Sequence, residues 1–141
     1  MGRVRSRCKA LTIPAERMKA EREHIVPLSP QALEILEVMK PISAHREHIF
    51  PSRNDPKQPM NCQTANGAFK RIGYGGKLVS HSLRSIASTI LTEQGFNADV
   101  IESALAHSDR NEVRKAYNRS IYLKQRADMM NWWGPQIKKG D

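Results

Sequence analysis

The chain has 141 residues, the size of one ordinary domain. Its 39% hydrophobic and 26% charged residues supply a core and argue against a disordered basic tail, while 23 Lys+Arg against 14 Asp+Glu leave a net charge of +9 that favours a polyanionic partner, nucleic acid first. No run of 18 apolar residues, no apolar stretch behind the basic start at Met1, and only two cysteines, Cys8 and Cys62, speak against a transmembrane helix, a secretory signal, a disulfide framework and a four-ligand zinc site. Reduced thiols in a cytoplasmic protein are the simplest reading.

The basic residues gather in segments 3–22, 70–84 and 110–126. That spread suits a folded concave surface better than a basic membrane-binding helix. In chain order, residues 11–14 and 24–28 are short β-prone runs joined by a charged connection, 15–23, and together predict a hairpin. Ser29 as N-cap and Pro30 at the first helical position open a helix through Leu33, Leu36 and Met39, and Pro41 is expected to stop it. Residues 42–59 read as a loop with one extended piece at 48–50. Asn61 caps a helix to about Ile72, with Ala65, Ala68, Phe69 and Ile72 inward, and Gly73–Gly76 break it. The clearest helix opens at Ser80 or His81, repeats Leu83, Ile86, Ala87, Ile90 and Leu91 at three and four, and ends at Gly95. Asn97 caps a shorter helix through Val100, Ile101, Ala104 and Leu105. Asn111 caps another through Val113 and Ala116. A last helix runs from about Tyr122 to Lys138 with Leu123, Met130, Trp133 and Ile137 on one face. The fold class is mainly α, with a small antiparallel β-hairpin at the N-terminal end.

Four features could carry chemistry. His81 and Arg84 stand three apart at a helix start, so they share a face beside free amide donors, which suits a phosphate. Taken alone, such a pair is more often an ordinary surface His and Arg. His107 follows the short helix, where a lone His usually complements the helix dipole. Tyr117 lies ten residues further on; Tyr74 and Tyr122 compete with it, and any of the three is by default packing. Lys19 sits in the hairpin connection, where a lysine is normally solvated but could also reach a DNA groove or protonate a leaving oxygen.

Together these occur in one order, within Leu11-Thr-Ile-Pro-Ala-Glu-Arg-Met-Lys19, His24-Ile-Val-Pro-Leu-Ser29, Ser80-His-Ser-Leu-Arg84, Leu105-Ala-His107 and Ala116-Tyr-Asn-Arg119, followed by Met129-Met-Asn-Trp-Trp133. In these stretches the sequence resembles the tyrosine recombinase (phage integrase) family, in its prophage-integrase branch, over residues 11–135. The resemblance implies a recombinase catalytic domain (α+β) across 11–141, with 1–10 matching poorly. It implies Lys19, His81, Arg84, His107 and Tyr117 as the catalytic set, Tyr117 being the nucleophile. Arg17, Lys19, Arg22, Lys77, Arg84 and Arg119 are the implied DNA contacts.

The family's first catalytic Arg normally lies well upstream of the lysine. Only 18 residues precede Lys19, and Arg3, Arg5 and Arg7 do not sit in the expected context, so that Arg and the N-terminal DNA-clamping domain are expected to be missing. The chain alone is then expected to be nearly inactive. The implied substrate is attachment-site-like double-stranded DNA, bound by a homo-oligomer, with no metal, small-molecule cofactor or membrane. Segment 121–141 has two placements open: burial on its own core, or docking on a neighbouring protomer with Trp132 and Trp133 as anchors. Three other readings stand beside the recombinase: a non-catalytic DNA-binding or regulatory module, a His-dependent nuclease, and a degenerate prophage fragment.

Overall fold

The computed structural model describes residues 3–5, 9–18, 21, 23–106 and 112–138, and the side chains of 9–18, 21, 23–106 and 122–137. Three strands, β1 (Arg3–Arg5), β2 (Ala10–Ile13) and β3 (His24–Pro27), form an antiparallel sheet in that order. The register places Arg3 opposite Thr12, Ala10 opposite Pro27 and Ile13 opposite His24. The predicted hairpin is therefore β2–β3, and β1 adds a third strand inside the segment expected to match poorly. In β2 the alternation is clear: Ala10 and Thr12 are buried, Leu11 and Ile13 only half-buried. A 3-10 turn, Ala15–Arg17, occupies the start of the hairpin connection.

Helix α1 spans Pro30–Ser43, and the Ser29 hydroxyl accepts from the Ala32 amide at 3.2 Å, as an N-cap should. Pro41 does not stop it. A proline removes one amide donor, here the one facing the Glu37 carbonyl, and that loss falls in the last turn. Ala44 N–H to the Lys40 carbonyl (2.9 Å) and Ser43 Oγ to the Met39 carbonyl (3.0 Å) close the helix around it. In the following loop the extended pairing is Pro51 with Pro59, with Met60 N–H donating to Phe50, just beyond the predicted 48–50.

Helix α2 spans Thr64–Phe69. Asn61 does not cap it directly; its side chain accepts from Gln63 N–H (2.8 Å) in the turn just before. After Phe69 the backbone widens into a distorted turn, Lys70–Tyr74, where Gly73 has φ +88°. Ile72 therefore leaves the helix and is exposed rather than inward. Helix α3 (Ser82–Glu93) ends as expected. Gly95 has φ +80°, Phe96 N–H donates to Leu91 and Gly95 N–H to Thr92, the paired bonds of a glycine C-cap. Helix α4 (Ala98–Ala104) starts at Asn97, whose side chain accepts from Asp99 N–H at 2.8 Å.

The two helices expected after residue 111 are one continuous helix, α5 (Glu112–Lys138). No Gly or Pro stands between Asn111 and Gly134, so nothing in that stretch breaks it. Its inward face also differs from the predicted stripe. Met129 and Arg126 are buried, at 1% and 4% exposure, while Ile137 is 67% exposed. Met129 joins Leu91, Val100 and Ile101 in the core, with Phe96, Leu105, Tyr122, Trp132 and Trp133 packed around them. The Phe96 and Trp132 rings lie 5.4 Å apart at 60°. A Cβ on Gly134 would run into Gln31 Oε1 and sit 2.9 Å from Cβ and Oγ of Ser29, so a glycine is what lets α5 approach the start of α1. The described part of the last helix thus packs on its own chain.

The core is small. Leu83 and Ile86, expected inward, are exposed, as are Ile35, Val38 and Ile42 along α1. Among the described residues no helix is long and apolar enough to cross a membrane.

Truncating the buried face should cost far more than truncating the predicted one. Met129→Ala is expected to destabilise by about 2–5 kcal/mol, and Ile137→Ala by less than about 0.5 kcal/mol, in urea denaturation. Equal losses would contradict the assigned inward face.

Candidate active site

The site is organised around the end of α4. The last carbonyls of a helix have no partner within it and carry the negative end of its dipole. Beyond α4 the chain turns through Leu105 into Ala106, which takes a left-handed φ of +53° and donates weakly to the Ser103 carbonyl (3.4 Å).

Side chains from three other elements reach these carbonyls. Arg84 of α3 donates through Nη2 to the Leu105 carbonyl. Arg126 of α5 donates through Nη1 to the Ser103 carbonyl at 3.5 Å, a long contact. His24 of β3 hydrogen-bonds the backbone of Ala104. Three consecutive residues at one helix end are thus held from the sheet, from α3 and from α5.

Local sequence explains how Arg84 arrives there. His81 is the N-cap of α3, and Arg84 N–H donates to its carbonyl at 3.1 Å, so the pair shares the first turn. The turn before it is anchored by Ser80 N–H donating to the Asn66 side chain of α2 at 2.7 Å. His81 is exposed and Arg84 half-buried. Together with Ser85, Ser88, Thr89 and Leu105 they line a concavity of about 290 Å³. A guanidinium has five donors in a fixed fork. One donates to the Leu105 carbonyl, and the rest of the fork borders the concavity, where a planar guanidinium suits an oxyanion.

Two titrations follow from the packing. The His24 imidazole is held below its usual range, first by burial and then by the positive Arg126, with the Ala104 backbone bond partly opposing them. Burial also lowers the Arg126 guanidinium, which still carries its charge near neutral pH. Its Nε is buried without a hydrogen-bond partner.

Of the residues singled out from sequence, Lys19, Arg22 and His107 lie outside the described residues. Tyr117 and Arg119 fall within α5, but their side chains are outside the described set. Arg17 is exposed on the 3-10 turn of the hairpin connection, and Lys77 is exposed in the turn ahead of α3. Tyr74 is exposed at the end of the distorted turn. Tyr122 packs against the core, and its hydroxyl donates to Asp99 at 3.4 Å. The structure thus joins His81 and Arg84 to the chain leading into Leu105-Ala106-His107. Sequence reasoning missed His24, Asn66 and Arg126. The only available signal was a charged residue spaced four and three between Tyr122 and Met129, where a core position was due. Among the described residues no three His, Cys, Asp or Glu side chains cluster as metal ligands.

Residues 2–123 match the model of the phage integrase family. The prophage integrase IntA of Escherichia coli strain K12 is 66% identical over 129 residues, which is 92% of this chain and 31% of that protein. The integrase of Shigella phage Sf6 is 40% identical over 129 residues (89% of this chain, 33% of that protein). That of Enterobacteria phage P4 is 41% identical over 124 residues (85% and 28%). The chain spans about a third of the length of these relatives. No solved structure matches it.

Because the folded state holds His24 below its unfolded pKa, folding is favoured when that ring is neutral. Stability from this group is complete above the ordinary value of 6.5 and is lost as pH falls from there through the lowered folded value. Thermal melts from pH 7.5 down to 5 should show a falling Tm, and His24→Gln should flatten that slope. An unchanged slope in the variant would contradict the placement.

Proposed function

This chain belongs to the phage integrase family, and from that premise we propose that it cuts and rejoins double-stranded DNA through a 3′-phosphotyrosine intermediate. The observation that carries the reading is the bond from Arg84 to the Leu105 carbonyl, which ties the His81–Arg84 pair to the segment that holds His107 two residues later.

In this mechanism the Tyr117 oxygen attacks the scissile phosphorus and the bond to the 5′-oxygen breaks. His81 accepts the tyrosine proton. Lys19 supplies a proton to the leaving 5′-oxygen. Arg84 grips the nonbridging oxygens with its free donors, a two-point contact that lysine cannot copy. His107 donates a further hydrogen bond to the same phosphate. The phosphodiester energy stays in the protein–DNA linkage, and attack by a 5′-hydroxyl of another strand reverses the step. Arg17, Arg22, Lys77 and Arg119 are assigned to the flanking DNA backbone, where contacts fix position rather than sequence. The substrate is attachment-site-like DNA in the bacterial cytoplasm, and strand exchange between two duplexes calls for several copies of the protein on it.

Since the relatives are about three times longer, the direct assay exchanges the matching stretch of IntA for this chain and offers the hybrid a nicked suicide substrate. A covalent protein–DNA adduct is expected. It should vanish in Tyr117→Phe and form about 100- to 1000-fold more slowly in Arg84→Lys, the usual cost of one donor to a developing charge. DNA binding without any adduct would favour a non-catalytic binding module. A released phosphate terminus with no adduct would favour a nuclease.

A further inference from the structure

Arg126 has no part in the reaction just described, yet it is the only side chain of its charge among the buried residues of the described set. A buried guanidinium costs several kcal/mol unless its surroundings compensate. Its compensation is the carbonyl end of α4, where Nη1 meets the Ser103 carbonyl at 3.5 Å; His24 bonds Ala104 beside it and is itself held neutral by burial and the nearby positive charge. A leucine or methionine would fill the position between Tyr122 and Met129 without that cost, so packing alone does not account for an arginine there.

The geometry of the turn gives the arginine a task. α4 has seven residues, too few to be stable in isolation. Its end leads through Ala106, held in a conformation unfavourable for a side chain with a Cβ, directly to His107. Whatever fixes the carbonyls of residues 103–105 therefore fixes the Leu105 oxygen on which Arg84 is anchored. Arg84 bonds the Leu105 carbonyl, and Arg126 and His24 reach the backbone of Ser103 and Ala104.

We propose that Arg126, together with His24, is a positioning residue: it clamps the end of α4 so that the Leu105 carbonyl holds Arg84, beside His81, in place for a phosphate. The clamp rests on the recombinase reading for its purpose but not for its existence. Arg126 is 4% exposed and touches no substrate; it acts through the α4 carbonyls.

The test measures two things on Arg126→Met, Arg126→Lys and His24→Gln. In the full chain, residue-resolved amide exchange compares 104–108 with the amides of α1 and the sheet. In the IntA hybrid, DNA affinity and the rate of adduct formation are measured separately. Arg126→Met should speed exchange at 104–108 at least tenfold while α1 and the sheet change less than twofold. Adduct formation should slow at least tenfold, with DNA affinity within twofold. Arg126→Lys should restore the rate to within about threefold of the parent. Should Arg126→Met fail to fold, His24→Gln reports on the same carbonyl end, with the same local rise in exchange and the same slower adduct formation expected.

Uniformly faster exchange would make Arg126 a general stabilising residue and overturn the proposal. So would local loosening with an unchanged adduct rate, or a lysine variant as slow as the methionine one. If the parent hybrid forms no adduct at all, the recombinase reading fails. The exchange pattern then decides by itself whether Arg126 holds this segment.

Discussion

The carbonyl end of α4 is the constraint on which the rest of the site depends. A seven-residue helix contributes little stability of its own, and both its ends must be satisfied by other parts of the chain. Asn97 does this at the start through the Asp99 amide. At the finish, Arg84, His24 and Arg126 do it from α3, β3 and α5. Two of those elements also carry residues of the proposed chemistry: α3, capped by His81, holds Arg84, and α5 spans position 117. One short helix end therefore connects segments about a hundred residues apart in sequence.

The same arrangement accounts for the use of arginine at position 84. A lysine could meet the Leu105 carbonyl or a phosphate oxygen as a point charge. A guanidinium can do both at once, because its donors lie in a rigid plane and one can be anchored while the others face the concavity. Anchoring also limits the side-chain freedom that would otherwise be lost when a phosphate binds. Asn66 completes the arrangement on the other side by fixing the amide of Ser80, one residue before the His81 cap.

Much of the fold was legible in the sequence, because it is written in local rules. Ser29 and Asn97 are N-caps by their own side-chain bonds, and Gly95 is a C-cap by its positive φ. The hairpin followed from two β-prone runs. The errors have local causes too. Pro41 was weighed as a stop although it falls where few donors remain to be lost. A second helix start was placed inside 112–138 although no breaker stands there. Ile72 follows the helical period in sequence but lies beyond the point where Gly73 turns the backbone. The apolar period of α5 picked out Ile137, while the true inward face includes a charged residue, Arg126, which a hydrophobic pattern necessarily skips. The His81–Arg84 pair was readable as a motif. The clamp behind it was not, since His24, Ser103 and Arg126 share no spacing and meet only once the chain is folded.

The most direct measurement is the identity of the residue that becomes joined to DNA. Trapped adduct from the IntA hybrid, digested with nuclease and protease, yields one nucleotidyl peptide whose modified position mass spectrometry can read. Modification at Tyr117 is the result the proposed mechanism predicts; Tyr122 is engaged with Asp99 and the core, and exposed Tyr74 is the competitor the measurement separates. Modification at Tyr74, at Tyr122 or at a serine would contradict it.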